Sequence, residues 1–143
     1  GEVLTKMIEV SMVPAEYVDT CWNKITDFIE KAAEYTYGRY SADNLYDMVK
    51  EGEHQLWVAY EDSEFKGTVL TNVMNYPKRK VLCMGFCGGE KLEEWKDPML
   101  ELLRRFAKDM GCDSIEAFGR PGWANVFKND GYQKQWITFE LPI

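Results

Sequence analysis

The chain has 143 residues, a formal net charge of −7 and a charged fraction of 29%. This is the length of one ordinary domain, and such a domain buries about two-thirds of the surface that its unfolded chain exposes. We therefore expect a single domain over residues 1–143, without disulfide or metal staples. Because an acidic chain repels phosphate backbones and anionic lipids, nucleic acid and membrane surfaces are poor candidates for a partner.

The cysteines and the single histidine do not form a metal-binding pattern. Cys21, Cys83, Cys87 and Cys112 lie in apolar contexts without a C-x-x-C pair, and His54 is far from them in sequence. Such spacing favours buried, reduced thiols over a zinc site. There is no signal-peptide pattern, and no apolar run approaches about 18 residues. We therefore expect a cytoplasmic protein that has no membrane span and no metal.

The first part of the chain predicts one strand and two helices. Residues 7–12 alternate apolar and polar side chains, which is typical of a half-buried strand. From Val18 to Ala33 apolar residues recur every three or four positions, which predicts a helix that ends near Gly38. Ser41 is a suitable N-cap for a second, shorter helix, and Gly52 is a suitable stop.

The middle of the chain predicts three successive strands. The segments Gln55–Tyr60 and Thr68–Tyr76 read as a hairpin, with the polar stretch 61–66 as its loop. Pro77 ends the second strand, and Val81–Phe86 is the third. Strands that follow each other this closely are expected to lie side by side in one sheet.

The last part predicts helices alternating with strands. An apolar face from Leu92 to Met110 predicts the longest helix, although Asp97-Pro98 would also allow the regular helix to begin at Pro98. Ser114–Phe118 follows as a strand, Trp123–Asn129 as a short helix and Gln135–Leu141 as a final strand. The expected fold class is α/β, with a mixed sheet and helices on both of its faces.

This order, β-α-α-β-β-β-α-β-α-β, resembles the GNAT acetyltransferase superfamily over nearly the whole chain. The sharper signal is the segment Ser114–Tyr132, which looks like the family's strand, loop and short helix, and which ends in Asp130-Gly131-Tyr132. Short, divergent chains of this kind are also similar to phage-encoded GNAT-like proteins. The resemblance implies an acetyl-CoA-dependent N-acyltransferase, whose acceptor is a small-molecule amine or a protein.

The resemblance also implies a place for the cofactor. Family members bind acetyl-CoA in a V-shaped gap, which here falls between Val81–Phe86 and Ile115–Phe118, and place its pyrophosphate at the N-terminus of the following helix. The residues that this would place at the cofactor are Phe86, Cys87, Gly88, Gly89, Lys91 and Arg120. Trp123 and Tyr132 would line the groove for a substrate or partner.

Two features depart from the family pattern. The glycines of Cys87-Gly88-Gly89 precede the helix without the family's spacing, and the acids Glu90, Glu93, Glu94 and Asp97 would repel a pyrophosphate. Phe127 stands where many members carry a tyrosine that protonates the departing thiolate. Two interpretations therefore remain open: an N-acyltransferase with an atypical pyrophosphate loop, or a GNAT-like binding or structural module that has lost catalysis.

The sequence does not assign a catalytic residue. Glu116 is a candidate base or a solvent-facing carboxylate, and Cys87 is a candidate nucleophile or a small buried thiol. Tyr76 and Tyr132 are candidate proton donors. The segment 119–123, Gly-Arg-Pro-Gly-Trp, is either a rigid turn or part of a binding wall. Neither the acceptor nor the oligomeric state follows from the sequence.

Overall fold

The protein folds as a five-stranded mixed sheet between helices. The computed structural model describes residues 7–119, 123–127 and 130–143. The elements, in chain order, are β1 (Ile8–Val13), α1 (Val18–Glu34), α2 (Ala42–Lys50), β2 (Gln55–Glu61), β3 (Glu64–Asn75), β4 (Lys80–Gly89), α3 (Leu92–Asp109), β5 (Ser114–Ala117) and α4 (Trp123–Phe127). This confirms the predicted α/β class and the GNAT-like sheet with helices on both faces.

The strands lie in the sheet in the order in which they occur in the chain. The first four pair antiparallel as β1-β2-β3-β4, and β5 then adds parallel to β4. The parallel pair requires a crossover, and α3 supplies it. As a result, β4 lies next to the last strand of the described sheet, which is where the candidate site is found.

Each face of the sheet has its own hydrophobic core, because side chains alternate along a strand. Leu56 and Val58 of β2 face α1 and α2, where Ile25, Ile29 and Leu45 are fully buried. The other face packs on α3, and this core contains Trp57, Ala59, Val69, Leu82, Met84, Trp95, Met99 and Leu103. The predicted apolar stripes of the two long helices are therefore confirmed as their buried faces.

The start of α2 is fixed by the predicted cap. The hydroxyl of Ser41 accepts from the backbone N–H of Asn44 at 3.2 Å, and the Ser41 N–H donates to the Asn44 side chain at 2.9 Å. This reciprocal pair is a capping box, which typically contributes about 1 kcal/mol.

Two predicted boundaries are wrong. The predicted hairpin loop over 61–66 is shorter, because β2 and β3 remain paired up to Glu61 and Glu64. Asp62, in the turn, adopts a φ of 56°, a conformation that aspartate tolerates better than most residues. The alternative start of the long helix at Pro98 is also wrong, since α3 begins at Leu92 and contains Pro98 in its second turn.

The predicted final strand, Gln135–Leu141, is not formed. Residues 132–143 have no regular secondary structure, and Trp136 and Phe139 are 68% and 90% exposed. Alternating side chains suit a strand, but a strand also needs a neighbouring backbone to pair with. Here the segment instead reaches the loop after α1, where Glu140 forms an exposed ion pair with Arg39 at 3.1 Å.

None of the helices over the described ranges 7–119, 123–127 and 130–143 combines the length and the apolar character that crossing a membrane requires.

Candidate active site

The candidate site begins at a bulge in β4. Leu70 of β3 pairs with Phe86, and the next residue, Thr71, pairs with Met84, so Gly85 is an extra residue on the β4 side. A bulge of this kind bends the strand and interrupts its ladder. No described atom outside Gly85 and its two chain neighbours lies within 4 Å of the position that a Cβ on Gly85 would occupy. Gly85 therefore borders open space in the described structure.

The pairing between β4 and β5 ends at the same place. The parallel register runs from Val81–Ser114 to Met84–Ala117, and Phe118 then donates its N–H to the Met84 carbonyl at 3.1 Å. The predicted gap between Val81–Phe86 and Ile115–Phe118 is therefore confined to the far end of these segments, because Val81–Met84 is paired with Ser114–Ala117. The opening lies further along, where β4 continues to Gly89 with β3 as its strand partner in the described structure.

Two of the predicted cofactor residues lie just beyond this opening and face opposite sides of the sheet. Phe86 packs on the side of α1 and α2, with its ring 5.1 Å from that of Tyr40 and 6.3 Å from that of His54. Cys87 is half-buried and packs on the side of α3. Neighbouring residues of β4 therefore place the Phe86 ring on one face of the sheet and the Cys87 thiol on the other.

Gly88 and Gly89 lie within β4, paired with Thr68 and Gly67. A Cβ on Gly88 would come within 2.3 Å of the Phe28 carbonyl oxygen of α1. A Cβ on Gly89 would come within 2.6 Å of the Gly67 Cα, and the φ of Gly89 is 148°. Packing alone therefore requires glycine at both positions, and a cofactor need not be invoked to explain them.

The connection from β4 to α3 is short and held by a tryptophan. The Trp95 ring is 2% exposed and lies over Gly67, and its indole N–H donates to the Glu90 carbonyl at 2.9 Å. The Glu90 N–H donates in turn to the Lys66 carbonyl at 2.8 Å. One backbone donor of the predicted pyrophosphate stretch is therefore already bonded within the protein.

Lys91 is exposed at the N-terminus of α3. It occupies the N-cap position with a left-handed φ of 49° and makes no side-chain capping bond. Glu93 and Glu94 in the first turn place negative charge where the helix dipole favours an anion. The start of α3 thus carries both a cation and the predicted competing carboxylates.

Lys96 of α3 contacts α4 and the turn after it. Its ammonium donates to the Val126 carbonyl at 3.2 Å and to the Asp130 carboxylate at 3.0 Å, and the two side chains of that ion pair are each 22% exposed. Lys96 therefore fastens α4 and the turn after it to α3. A phosphate would have to compete with this pair for the same cation.

Gly131 lies in the turn after α4, and Tyr132 follows it. The rings of Phe127 and Tyr132 are 4.6 Å apart, and burial is the main cause that raises the pKa of Tyr132. Tyr132 is thus a half-buried hydroxyl that stays protonated at neutral pH. Arg120 and the side chain of Trp123 lie outside the described residues.

A compact polar cluster lies on β5 and its neighbours. Glu116 pairs with Cys83 across the parallel strands, and one carboxylate oxygen, Oε2, accepts from the Tyr76 hydroxyl at 3.1 Å. The Cys83 thiol donates to the same oxygen at 3.6 Å. The structure therefore brings together two residues that the sequence suggested separately, Glu116 and Tyr76.

Both donors of this cluster keep their protons at neutral pH. Burial, followed by the charge of Glu116, raises the pKa of Cys83 to about 12. Burial, followed by the hydrogen bond to Glu116, also raises the pKa of Tyr76. Cys83 is therefore a poor nucleophile, since the thiolate is the reactive form of a cysteine.

The sequence did not predict that Glu116, Tyr76 and Cys83 lie together, nor that His54 lies near Phe86. Ile115 and Ala117 pack on the α3 side, so strand alternation places Glu116 on the other face; the register with Cys83, however, cannot be read from a single sequence. His54 lies near Phe86, and burial lowers its pKa. Its Nδ1 is buried and has no hydrogen-bond partner in the part of the chain that the structure describes.

Similarity to other proteins is found at the level of structure. No family model matches the chain, and no curated protein matches its sequence significantly. An aminoglycoside acetyltransferase from an uncultured soil metagenomic sample, solved in complex with sisomicin, superposes with a TM-score of 0.69 at 8% identity. The match covers 96% of this chain and 97% of the other.

Two further solved structures agree with this match. A ribosomal-protein-alanine N-acetyltransferase from Brucella melitensis biovar Abortus 2308 has a TM-score of 0.70 at 8% identity, covering 95% of this chain and 99% of its own. A predicted acetyltransferase from Clostridium acetobutylicum, solved with acetyl-CoA, has a TM-score of 0.67 at 14% identity, covering 95% and 96%.

The chain has the fold of the GNAT acetyltransferases. Identities this low establish the architecture and nothing finer. Within the GNAT fold, the bulge at Gly85 and the end of the β4–β5 pairing lie where the resemblance places the cofactor gap. The relation to phage-encoded proteins stays a prediction.

Proposed function

We propose that the protein is an acyl-CoA-dependent N-acyltransferase. The observation that carries the proposal is the coincidence of three features at one point of the GNAT fold: the bulge at Gly85, the last β4–β5 pair at Met84 and Ala117, and the open space beside Gly85. A thioester cofactor needs an unpaired strand backbone to bind its extended pantetheine arm. The segment Met84–Cys87 would supply that backbone.

The reaction we propose is acyl transfer from a thioester to an amine. Two of the structural neighbours carry the names of an aminoglycoside acetyltransferase and a ribosomal-protein-alanine N-acetyltransferase, and a third was solved with acetyl-CoA. These names support acetyl-CoA as the donor and a small-molecule amine or a protein amine as the acceptor. They do not choose between the two acceptors.

A specific observation favours a second candidate, a GNAT-like binding or structural module. The predicted pyrophosphate stretch is partly occupied by the protein itself, because the Glu90 N–H is bonded to Lys66 and the Trp95 ring packs over Gly67. Acids at the start of α3 add repulsion. Under this candidate no acyl-CoA would bind, and 119–123 would be the first surface to test for a protein partner.

Calorimetric titration with acetyl-CoA and with CoA separates the two candidates. For an acyltransferase we expect binding, weakened to the micromolar range or beyond by the nearby carboxylates. The double variant Glu90→Gln/Glu93→Gln should then bind about five-fold more tightly, since removing repulsion of about 1 kcal/mol from a bound anion changes affinity by that factor. That gain should shrink as salt is added, because ions screen charge repulsion.

The matched control is Glu16→Gln/Glu51→Gln, which removes the same charge at two exposed positions, one just before α1 and one just after α2. It should leave the affinity unchanged, so a gain there would show that only the net charge matters. If neither the wild type nor the Glu90/Glu93 variant binds acetyl-CoA or CoA at millimolar concentration, the acyltransferase proposal is refuted. Sisomicin and an alanine-starting peptide are suitable first acceptor probes.

A further inference from the structure

The face of the sheet that carries Phe86 also carries a row of polar side chains. Asn72 of β3 pairs with Cys83 of β4, and Cys83 pairs with Glu116 of β5. The flanking residues Leu82 and Met84 belong to the core on the α3 side, so strand alternation turns Cys83 and its partners toward the face of α1 and α2. This is the face on which Phe86 contacts Tyr40.

Glu116 is the one member of this row that carries a charge, and its surroundings hold it in place. The Tyr76 hydroxyl and the Cys83 thiol both reach Oε2, at 3.1 and 3.6 Å. Within the ranges that the structure describes, no protein donor contacts Oε1. One oxygen is therefore fixed by two protonated neighbours, and in the described structure the other is left to a molecule outside the protein.

The position of Glu116 along β5 places it beside the opening. Its register partner, Cys83, is two residues before Gly85 on β4, and the pairing of the two strands ends one step later, at Met84 and Ala117. Since a strand advances about 3.3 Å per residue, Gly85 lies on the order of 7 Å along the strand from the level of Glu116. That separation can accommodate an acceptor amine and the carbonyl group it attacks.

We propose that Glu116 is the catalytic base that takes the proton from the acceptor amine, and that Tyr76 positions its carboxylate. The inference rests on the proposed acyltransferase function and adds to it the identity of the base. The geometry that carries it is the fixed Oε2, an Oε1 that no described donor contacts, and the adjacent end of the strand pairing.

The proposed step balances in atoms and charge. The amine nitrogen forms a bond to the thioester carbonyl carbon, and the Glu116 carboxylate accepts the proton that the nitrogen loses. The carbon–sulfur bond breaks, and its electron pair leaves with the sulfur of CoA. The proton then passes from Glu116 through water to that sulfur, so that amine and thioester become amide and thiol.

The test compares Glu116→Gln with wild type in two measurements, acetyl-CoA affinity and acetyl-CoA turnover in the presence of sisomicin or an alanine-starting peptide. Glutamine keeps the size of the side chain and cannot accept the proton. We expect the affinity to remain within about two-fold and kcat to fall by about 10²–10⁴-fold, the usual contribution of a general base. Glu9→Gln, which removes an exposed carboxylate on β1, should leave both measurements unchanged.

Rescue experiments separate a chemical role from a structural one. In Glu116→Ala, added formate should restore turnover in proportion to its concentration, because formate supplies a carboxylate in the vacated space. Tyr76→Phe should lower kcat by about ten-fold, the usual effect of losing a hydrogen bond to a charged group, and should leave the KM for acetyl-CoA unchanged.

The possible outcomes are distinct. If wild type does not bind acetyl-CoA, the proposed function fails. If it binds acetyl-CoA but turns it over with neither probe, the comparison is made on the hydrolysis of acetyl-CoA, and equal hydrolysis rates for Glu116→Gln and wild type would show that Glu116 is not the base. If Glu116→Gln turns over at the wild-type rate, or if formate gives no recovery in a folded Glu116→Ala variant, Glu116 is not the base.

Discussion

Two parts of one strand, only three residues apart, use glycine for opposite reasons. At Gly85 the backbone lies next to open space, whereas a Cβ at Gly88 would meet the Phe28 carbonyl oxygen at 2.3 Å. The first glycine leaves the strand accessible beside the bulge, and the second lets α1 lie directly on the sheet. A glycine-rich sequence therefore does not by itself mark a phosphate loop, because helix packing demands the same residue.

The largest loss of stability should come from removing Trp95, which covers the packed part of β4. Trp95→Ala should lower the free energy of unfolding by about 3–5 kcal/mol, because it empties a fully buried site and removes the hydrogen bond to Glu90. Urea unfolding followed by circular dichroism measures this loss. Trp136→Ala, at a residue that is 68% exposed, is the matched control and should change stability by less than about 0.5 kcal/mol.

A smaller loss should follow from adding one methyl group at the packed glycine. Gly88→Ala should cost about 1–3 kcal/mol, because the Phe28 carbonyl is backbone and cannot rotate away. The same unfolding measurement applies. A stability equal to wild type would show that α1 can lift from β4 at no cost, and the distinction between the two glycines would then collapse.

The smallest loss of stability should come from adding the same methyl group at Gly85, three residues earlier. Gly85→Ala should destabilise the protein by less than about 0.5 kcal/mol, since the new Cβ meets no described atom within 4 Å. A loss above about 1 kcal/mol would mean that the bulge itself requires glycine. Together the two substitutions test whether β4 is open at one point and packed at the other.

Most of the fold could be predicted from local patterns. The stripe of α1, the cap at Ser41 and the alternation of β2 each reflect one element meeting one core, and periodicity reports that directly. The final strand at Gln135–Leu141 failed because alternation shows what a strand would bury but not whether a partner edge is available. The hairpin loop was too long because its polar residues Glu64 and Lys66 lie within β3.

The candidate site was less predictable, because its residues are brought together by the register between neighbouring strands. Glu116 and Tyr76 were named as separate candidates, and only the parallel pairing of Cys83 with Glu116 brings their side chains together. The packing that requires glycine at positions 88 and 89 could not be predicted, because the partners Phe28 and Gly67 are distant in sequence. Tertiary contacts of this kind have no local signature.

The order of the sheet has a consequence for how the chain folds. Each described strand after β1 pairs with the strand before it in sequence, and the β2–β3 hairpin closes through a turn at Asp62 and Ser63. Local pairings of this kind carry a small loop-closure cost, so the antiparallel part can assemble early, even as the chain leaves the ribosome. β5 can pair with β4 only after α3 crosses over, so we expect Glu116 to reach Cys83 later than the hairpin forms.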